Sequence, residues 1–174
     1  ERLEQPFPPP VVGFFEFSFM RAKDMYPKKP LAEAMRHYMY DDPAFAQEVF
    51  GHATVIGRAM VREDEVAESV PEVLDYERAT AVIEDAWKHS VTICYCRHKA
   101  EHLGRACDAP QEVCLALNGG AEFLIRRGFA REITKEEALE KLALARKHGL
   151  VQIADNAKDR HFYICNCCGC CCGQ

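Results

Sequence analysis

Six cysteines stand in eight consecutive positions, CNCCGCCC, as Cys165, Cys167, Cys168, Cys170, Cys171 and Cys172, interrupted only by Asn166 and Gly169. Thiols crowded in this way repel one another once ionised and oxidise when left protonated and exposed, so such a segment calls for a positive centre among the sulfurs. Adjacent cysteines rarely reach the geometry of a disulfide with each other, which makes mutual bridging a poor explanation. The overlapping pairs Cys165/Cys168 and Cys167/Cys170 suit a polynuclear metal cluster better than one tetrahedral ion, which ordinarily draws on two separated C-x-x-C pairs. Zinc or copper held by thiolates is the rival reading.

The other four cysteines, Cys94, Cys96, Cys107 and Cys114, also lie beyond residue 93, so all ten fall in one part of the chain. Disulfide stapling would have spread them more evenly, and no basic, apolar, small-residue leader argues for export, so a cytoplasmic metal or redox protein is expected. On an extended strand Cys94 and Cys96 would present two sulfurs to one face. Together with Cys107 in a loop and Cys114 near a helix start, they can fill the four iron sites of a [4Fe–4S] cube, and the terminal six can supply a second. A mixed assignment stays open, because a terminal hairpin could bring Cys165 and Cys168 beside Cys96 and Cys107. Cys114, in the apolar stretch VCLAL, also fits a plain buried thiol. Arg97, His98, Lys99, His102 and Arg105 form either a positive rim to the centre or a solvated loop of mixed charge. His98, His102 and His161 are possible ligands, secondary to so many thiols.

The pattern along the chain predicts an α+β fold, predominantly helical, with a few short strands and a C-terminal β-hairpin leading into the cysteine cluster. Helices are expected around Val11–Phe19, over residues 31–40 with Pro30 in the first turn, over 42–50, and over 76–89. In the last, Ala79, Val82, Ile83, Ala86 and Trp87 make one buried stripe. Strands are expected over 54–61 and 90–96, an extended connection over 71–74, a loop over 97–110, and one or two helices over 111–128 interrupted at Gly119 and Gly120. Thr134 and Glu137 form a capping box for a helix closed by His148 and Gly149. Leu150–Ala154 and His161–Cys165 are the arms of the hairpin. One domain spans 1–174, with 1–93 as scaffold or docking part and 94–174 as the cysteine-rich part.

Several functions are disfavoured. Twenty-two Lys plus Arg against 27 Asp plus Glu give a formal net charge of −5, without the basic excess that a nucleic-acid backbone attracts. No apolar run approaches the roughly 20 residues that span a bilayer. No GxSxG, P-loop, strand-borne GxGxxG or HExxH signature occurs, so any catalysis would come from the metal centre.

The run CYCRHKAEHLGRACDAPQEVCLALNGGAEFLIRRGFAREITKEEALEKLALARKHGLVQIADN, the ending ICNCCGCCCG and the opening PPPVVGFFEFSFMR together resemble a family of 4Fe–4S ferredoxin-type iron–sulfur proteins of anaerobic bacteria and archaea. Such proteins carry an N-terminal winged-helix-like segment and a C-terminal two-cluster ferredoxin module with CxxCxxCxxxCP spacing. Neither occurs in these 174 residues, so the resemblance implies the central domain of a longer chain. It also implies electron transfer through one or two [4Fe–4S] clusters, with redox proteins or ferredoxin-like modules as partners. That makes the chain an electron carrier or redox-complex subunit rather than a stand-alone enzyme. The alternative is a redox enzyme subunit whose unusual cluster binds a substrate at an open iron.

Overall fold

The computed structural model describes residues 27–44, 47, 51, 53–55, 57–63, 78–157 and 160–173. Among these, the elements in chain order are α1 (Lys28–Tyr40), β1 (Gly57–Ala59), α2 (Ala79–Asp85), β2 (His89–Thr92), α3 (Tyr95–His102), β3 (Cys114–Leu117), α4 (Asn118–Arg126), β4 (Arg131–Glu132), α5 (Lys135–Lys147), β5 (Val151–Asp155) and β6 (Tyr163–Cys167). The strands make one six-stranded sheet in the order β1-β5-β6-β3-β2-β4, antiparallel at every pairing. The fold is α+β, but the expectation of a predominantly helical chain is overturned. Helix takes 42% and strand 21% of the described residues, and the sheet rather than a helix bundle organises the core.

That core follows from strand alternation. Val91 of β2, Leu115 and Leu117 of β3, Ala154 of β5 and Ile164 of β6 join one apolar cluster with Val82 and Ile83 of α2 and Ala138 and Leu142 of α5. Neighbouring positions on the same strands point to the opposite face. On β6 this sends Ile164 and Asn166 one way and Cys165 and Cys167 the other. Glu63 braces the helices beneath: its carboxylate accepts from Thr80 N–H at 3.3 Å, Thr80 Oγ1 at 2.8 Å and Arg78 Nε at 3.0 Å, and it also pairs with Arg146 of α5. Away from the sheet, Ala32 and Met35 of α1 are buried against Tyr95 of α3 and Leu103 just past it.

Several expected elements are present. Helix α1 contains Pro30 in its first turn. Thr134 Oγ1 accepts from Glu137 N–H and caps α5, while Gly149 closes it at φ 66°. The Glu137 side chain turns away to Arg131 rather than completing a reciprocal box. The β5–β6 hairpin forms as expected, its turn held by Asp155 Oδ1, which accepts from Phe162 N–H at 3.0 Å and Tyr163 N–H at 3.3 Å.

Others are corrected. The helix predicted over 76–89 stops at Asp85 because Ala86 is extended, and Trp87 is 54% exposed rather than part of the core. The strand predicted over 90–96 ends at Thr92, and the expected loop after it is α3. Residues 114–117 are strand instead of helix. Gly119 and Gly120 do not interrupt the helix but open it: a Cβ on Gly120 would lie 2.6 Å from the Phe162 carbonyl oxygen, so the glycine permits close docking on β6. Of the expected strand over 54–61, Gly57–Ala59 pairs with β5. The expected elements at Val11–Phe19 and 71–74, and much of 42–50, lie outside the described residues.

Asn118 fixes the step from β3 to α4. It adopts φ 53°, its Oδ1 accepts from Trp87 N–H at 3.1 Å, and its Nδ2 donates to the His161 carbonyl at 2.9 Å. Replacing it with alanine leaves both groups unpaired and removes the amide that makes the left-handed conformation tolerable, at a cost of about 3 kcal/mol. Asn118→Ala is expected to lower the thermal midpoint by roughly 10 °C; an unchanged midpoint would show that this side chain does not hold the corner.

Candidate metal centre

Four segments deliver the ten cysteines. Cys94 caps the N-terminus of α3 and Cys96 lies in its first turn, so the two are carried by a helix start and not by a strand. Cys107 sits in the loop after α3. Cys114 begins β3, and Cys165 and Cys167 lie on β6. Leu115 pairs with Ile164, which places Cys114 opposite Cys165 in the same antiparallel register. Beyond β6 the chain folds back in a single turn, with Cys172 N–H donating to the Cys168 carbonyl at 3.4 Å.

That turn divides the terminal cysteines. Cys168, Cys170 and Cys171 gather around Cys107, and the four sulfurs all lie within 4.8 Å of one another. Cys107 and Cys168 are 3.7 Å apart, Cys170 and Cys171 3.7 Å, and Cys107 and Cys171 3.8 Å. A tetrahedral ion with metal–sulfur bonds of about 2.3 Å places its sulfurs about 3.8 Å apart, so this group has the donor type and the spacing to hold a metal. The remaining thiols form a chain of contacts: Cys94 with Cys96, Cys96 with Cys172, Cys172 with Cys167, Cys167 with Cys165, and Cys165 with Cys114.

Against the Cys107 group stands Arg97. Its side chain is fully buried; Nη1 donates to the Asn166 carbonyl at 3.1 Å and reaches Cys168 Sγ at 3.7 Å, while Nε and Nη2 have no partner among the described residues. Lys99, on the same helix, is 3% exposed, with Nζ 3.7 Å from Met39 Sδ and 5.3 Å from the centre of the Tyr40 ring. Of the two expectations, a positive rim to the centre or a solvated loop, the burial of both side chains removes the loop. Two positions apart on α3, they lie on different faces of the helix, so no simple periodicity would have placed both inside. Asn166, an apparent spacer among the cysteines, is buried and locks the strand: it donates to the Val113 carbonyl at 2.6 Å and accepts from Gln152 Nε2 at 3.0 Å.

The three histidines are not drawn in with the thiols. His98 and His102 face each other with Nε2 atoms 3.4 Å apart, and His161 Nδ1 lies 2.9 Å from the Asp155 carbonyl oxygen.

Electrostatics single out one thiol in each group. A hydrogen bond from Cys96 lowers the Cys94 thiol to about 6 against the opposing effect of burial, helped by the Arg97 charge and the first amides of α3. Burial raises Cys168, but the hydrogen bond from Arg97 and further bonds from its neighbours bring it down to about 7. Three thiols move upward: Cys96 through its hydrogen bonds with Cys172 and Cys94, Cys165 through Cys114 and Cys167, and Cys171, mainly by burial, to about 12. Metal capture therefore expels protons from most of the thiols it engages, and affinity rises with pH.

The chain matches no protein-family model, no curated protein and no solved structure. Fold and site together define an α+β protein with a cysteine group capable of holding a metal ion. No described helix is long and apolar enough to cross a membrane.

The thiolate, not the thiol, is the nucleophile. Brief alkylation of the metal-free chain at pH 7 should therefore label Cys94 and Cys168 ahead of Cys96 and Cys165, as read by peptide mass spectrometry. Uniform labelling would contradict the electrostatic ordering.

Proposed function

We propose that this chain is an iron–sulfur electron-transfer module working inside a larger redox system. The observation that supports the reading best is the thiol network itself. All ten cysteines are linked through sulfur contacts and Arg97, and the two cations embedded among them, Arg97 and Lys99, have no carboxylate partner among the described residues. Buried cations of this kind call for lasting negative charge nearby. A divalent ion ringed by four thiolates carries a net charge of about −2, and thiolate-held iron clusters are likewise anionic. Thiolate-held iron would supply one-electron chemistry. The protein's own part is to bury the sulfurs and to aim N–H donors at them, both of which set reduction potential.

The 3.7–3.8 Å sulfur separations around Cys107 favour a second reading, in which that group holds one tetrahedral zinc or iron ion rather than a cube. Iron and acid-labile sulfide per chain, measured on anaerobically purified protein with its visible spectrum, separate the two. Roughly four or eight of each, with brown absorption that bleaches on reduction, is the expected result. Stoichiometric zinc without sulfide or colour would sink the electron-transfer function.

A further inference from the structure

Resting on the metal–thiolate reading above, we infer that Cys170 is the exchangeable ligand of the Cys107 group: metal is loaded and released on its side, and a small external thiolate takes its place on the metal. The four sulfurs lie close together but do not share one environment. Cys171 is buried, Cys107 and Cys168 are half-buried, and Cys170 alone of the four is exposed.

The inner three are held from the protein side and by one another. Cys168 packs against the cluster of Val113, Ala145 and Leu150 and has Arg97 Nη1 3.7 Å from its sulfur. Cys171 Sγ lies 4.0 Å from the Arg105 carbonyl oxygen. Cys107 Sγ touches both, at 3.7 Å from Cys168 and 3.8 Å from Cys171. Cys170 joins this trio from outside, with Cys171 Sγ at 3.7 Å.

The backbone carries the same asymmetry. The last ladder pair is Val151 with Cys167, so Cys170 stands beyond the sheet, in the middle of the turn closed by Cys172 N–H on the Cys168 carbonyl. A Cβ built on the preceding Gly169 meets nothing within 4 Å, which leaves the approach beside Cys170 open. A ligand on such a turn can leave the metal by a local movement, whereas withdrawing Cys168 or Cys171 disturbs the Arg97 contact or buried packing. The exchange itself is a substitution with no change of oxidation state. The incoming sulfur forms its bond to the metal with its own electron pair, the Cys170 sulfur leaves with the pair of the broken bond, and the proton given up by the entering thiol passes to Cys170.

Iodoacetamide pulses on the zinc(II)-loaded protein, mapped to each cysteine by tandem mass spectrometry, test this on the unaltered chain. Cys170 is expected to label at least about tenfold faster than Cys107, Cys168 and Cys171, since reactivity follows thiolate character and exposure; equal protection of all four would overturn the inference. No protection at any of the four would remove the metal–thiolate reading of this group, and the inference with it. Ligation by Cys170 is read with cobalt(II), through the thiolate-to-cobalt charge-transfer band. Cys170→Ala should bind cobalt with a weaker band that 2-mercaptoethanol restores, at a concentration that leaves the wild-type band unchanged, while the loss in Cys171→Ala should not be restored. A Cys170→Ala band as strong as that of the wild type would show that Cys170 is no ligand, and a band that the thiol fails to restore would show a position closed to exchange; either result overturns the inference. Equal restoration in Cys171→Ala would remove the special place of Cys170. Should Cys171→Ala fail to fold by circular dichroism, Cys170→Ala and the wild-type labelling order still decide.

Discussion

A guanidinium shut away from water among sulfur atoms is the constraint on which the rest of this architecture turns. Arg97 is held from one side by the Asn166 carbonyl, and Asn166 in turn grips Val113 and Gln152. The charge is thereby tied to three strand regions before any sulfur is considered. Desolvating a cation costs several kcal/mol unless negative charge answers it. In this molecule the groups in position to answer are thiolates. The same residue that makes the bare protein electrostatically incomplete biases Cys94 and Cys168 toward the ionised form, so instability and reactivity have a common source.

Strand register carries this chemistry to the right place. On β6 the residues alternate between the apolar core, through Ile164, and the thiol side, through Cys165 and Cys167. A slip of one residue against β3 or β5 would put sulfur in the hydrocarbon core and isoleucine among the sulfurs. The Asp155 turn and the Asn118 corner guard against that slip, one at each neighbouring strand. Structural polar residues here serve the metal ligands indirectly, by leaving the ladder a single register.

Much of the ligand chemistry was legible in the sequence, because crowded cysteines have few physical explanations. The α5 cap and the β5–β6 hairpin were legible too, since Thr134, Gly149 and the alternation after Leu150 are local signals. What failed was the balance between helix and sheet. Stretches such as Cys114–Leu117 are short, apolar and without a clear period, and whether they become strand depends on partners far along the chain. Trp87 misled because its spacing fits the α2 stripe, yet the helix ends before reaching it. The burial of Arg97 and Lys99 was not legible: charged residues beside a cysteine pair also suit a solvated loop, and it takes the end of β6 against Arg97 and Met39 and Tyr40 of α1 against Lys99 to set them inside. The partition of the cysteines was invisible as well, because it is decided by one turn after β6.

The sulfur contacts between Cys107 and its partners Cys168 and Cys171 span 61 and 64 residues. During synthesis, Cys94, Cys96, Cys107 and Cys114 emerge long before the thiols that complete either group. The Cys107 group cannot close until residues 168–171 have left the ribosome and β6 has docked between β3 and β5. Incorporation of metal is thus a maturation event that follows sheet assembly, and a loaded chain certifies that β6 has found its place. The early cysteines must be kept reduced through that interval, which ties the yield of finished protein to the redox state of the compartment in which it is made.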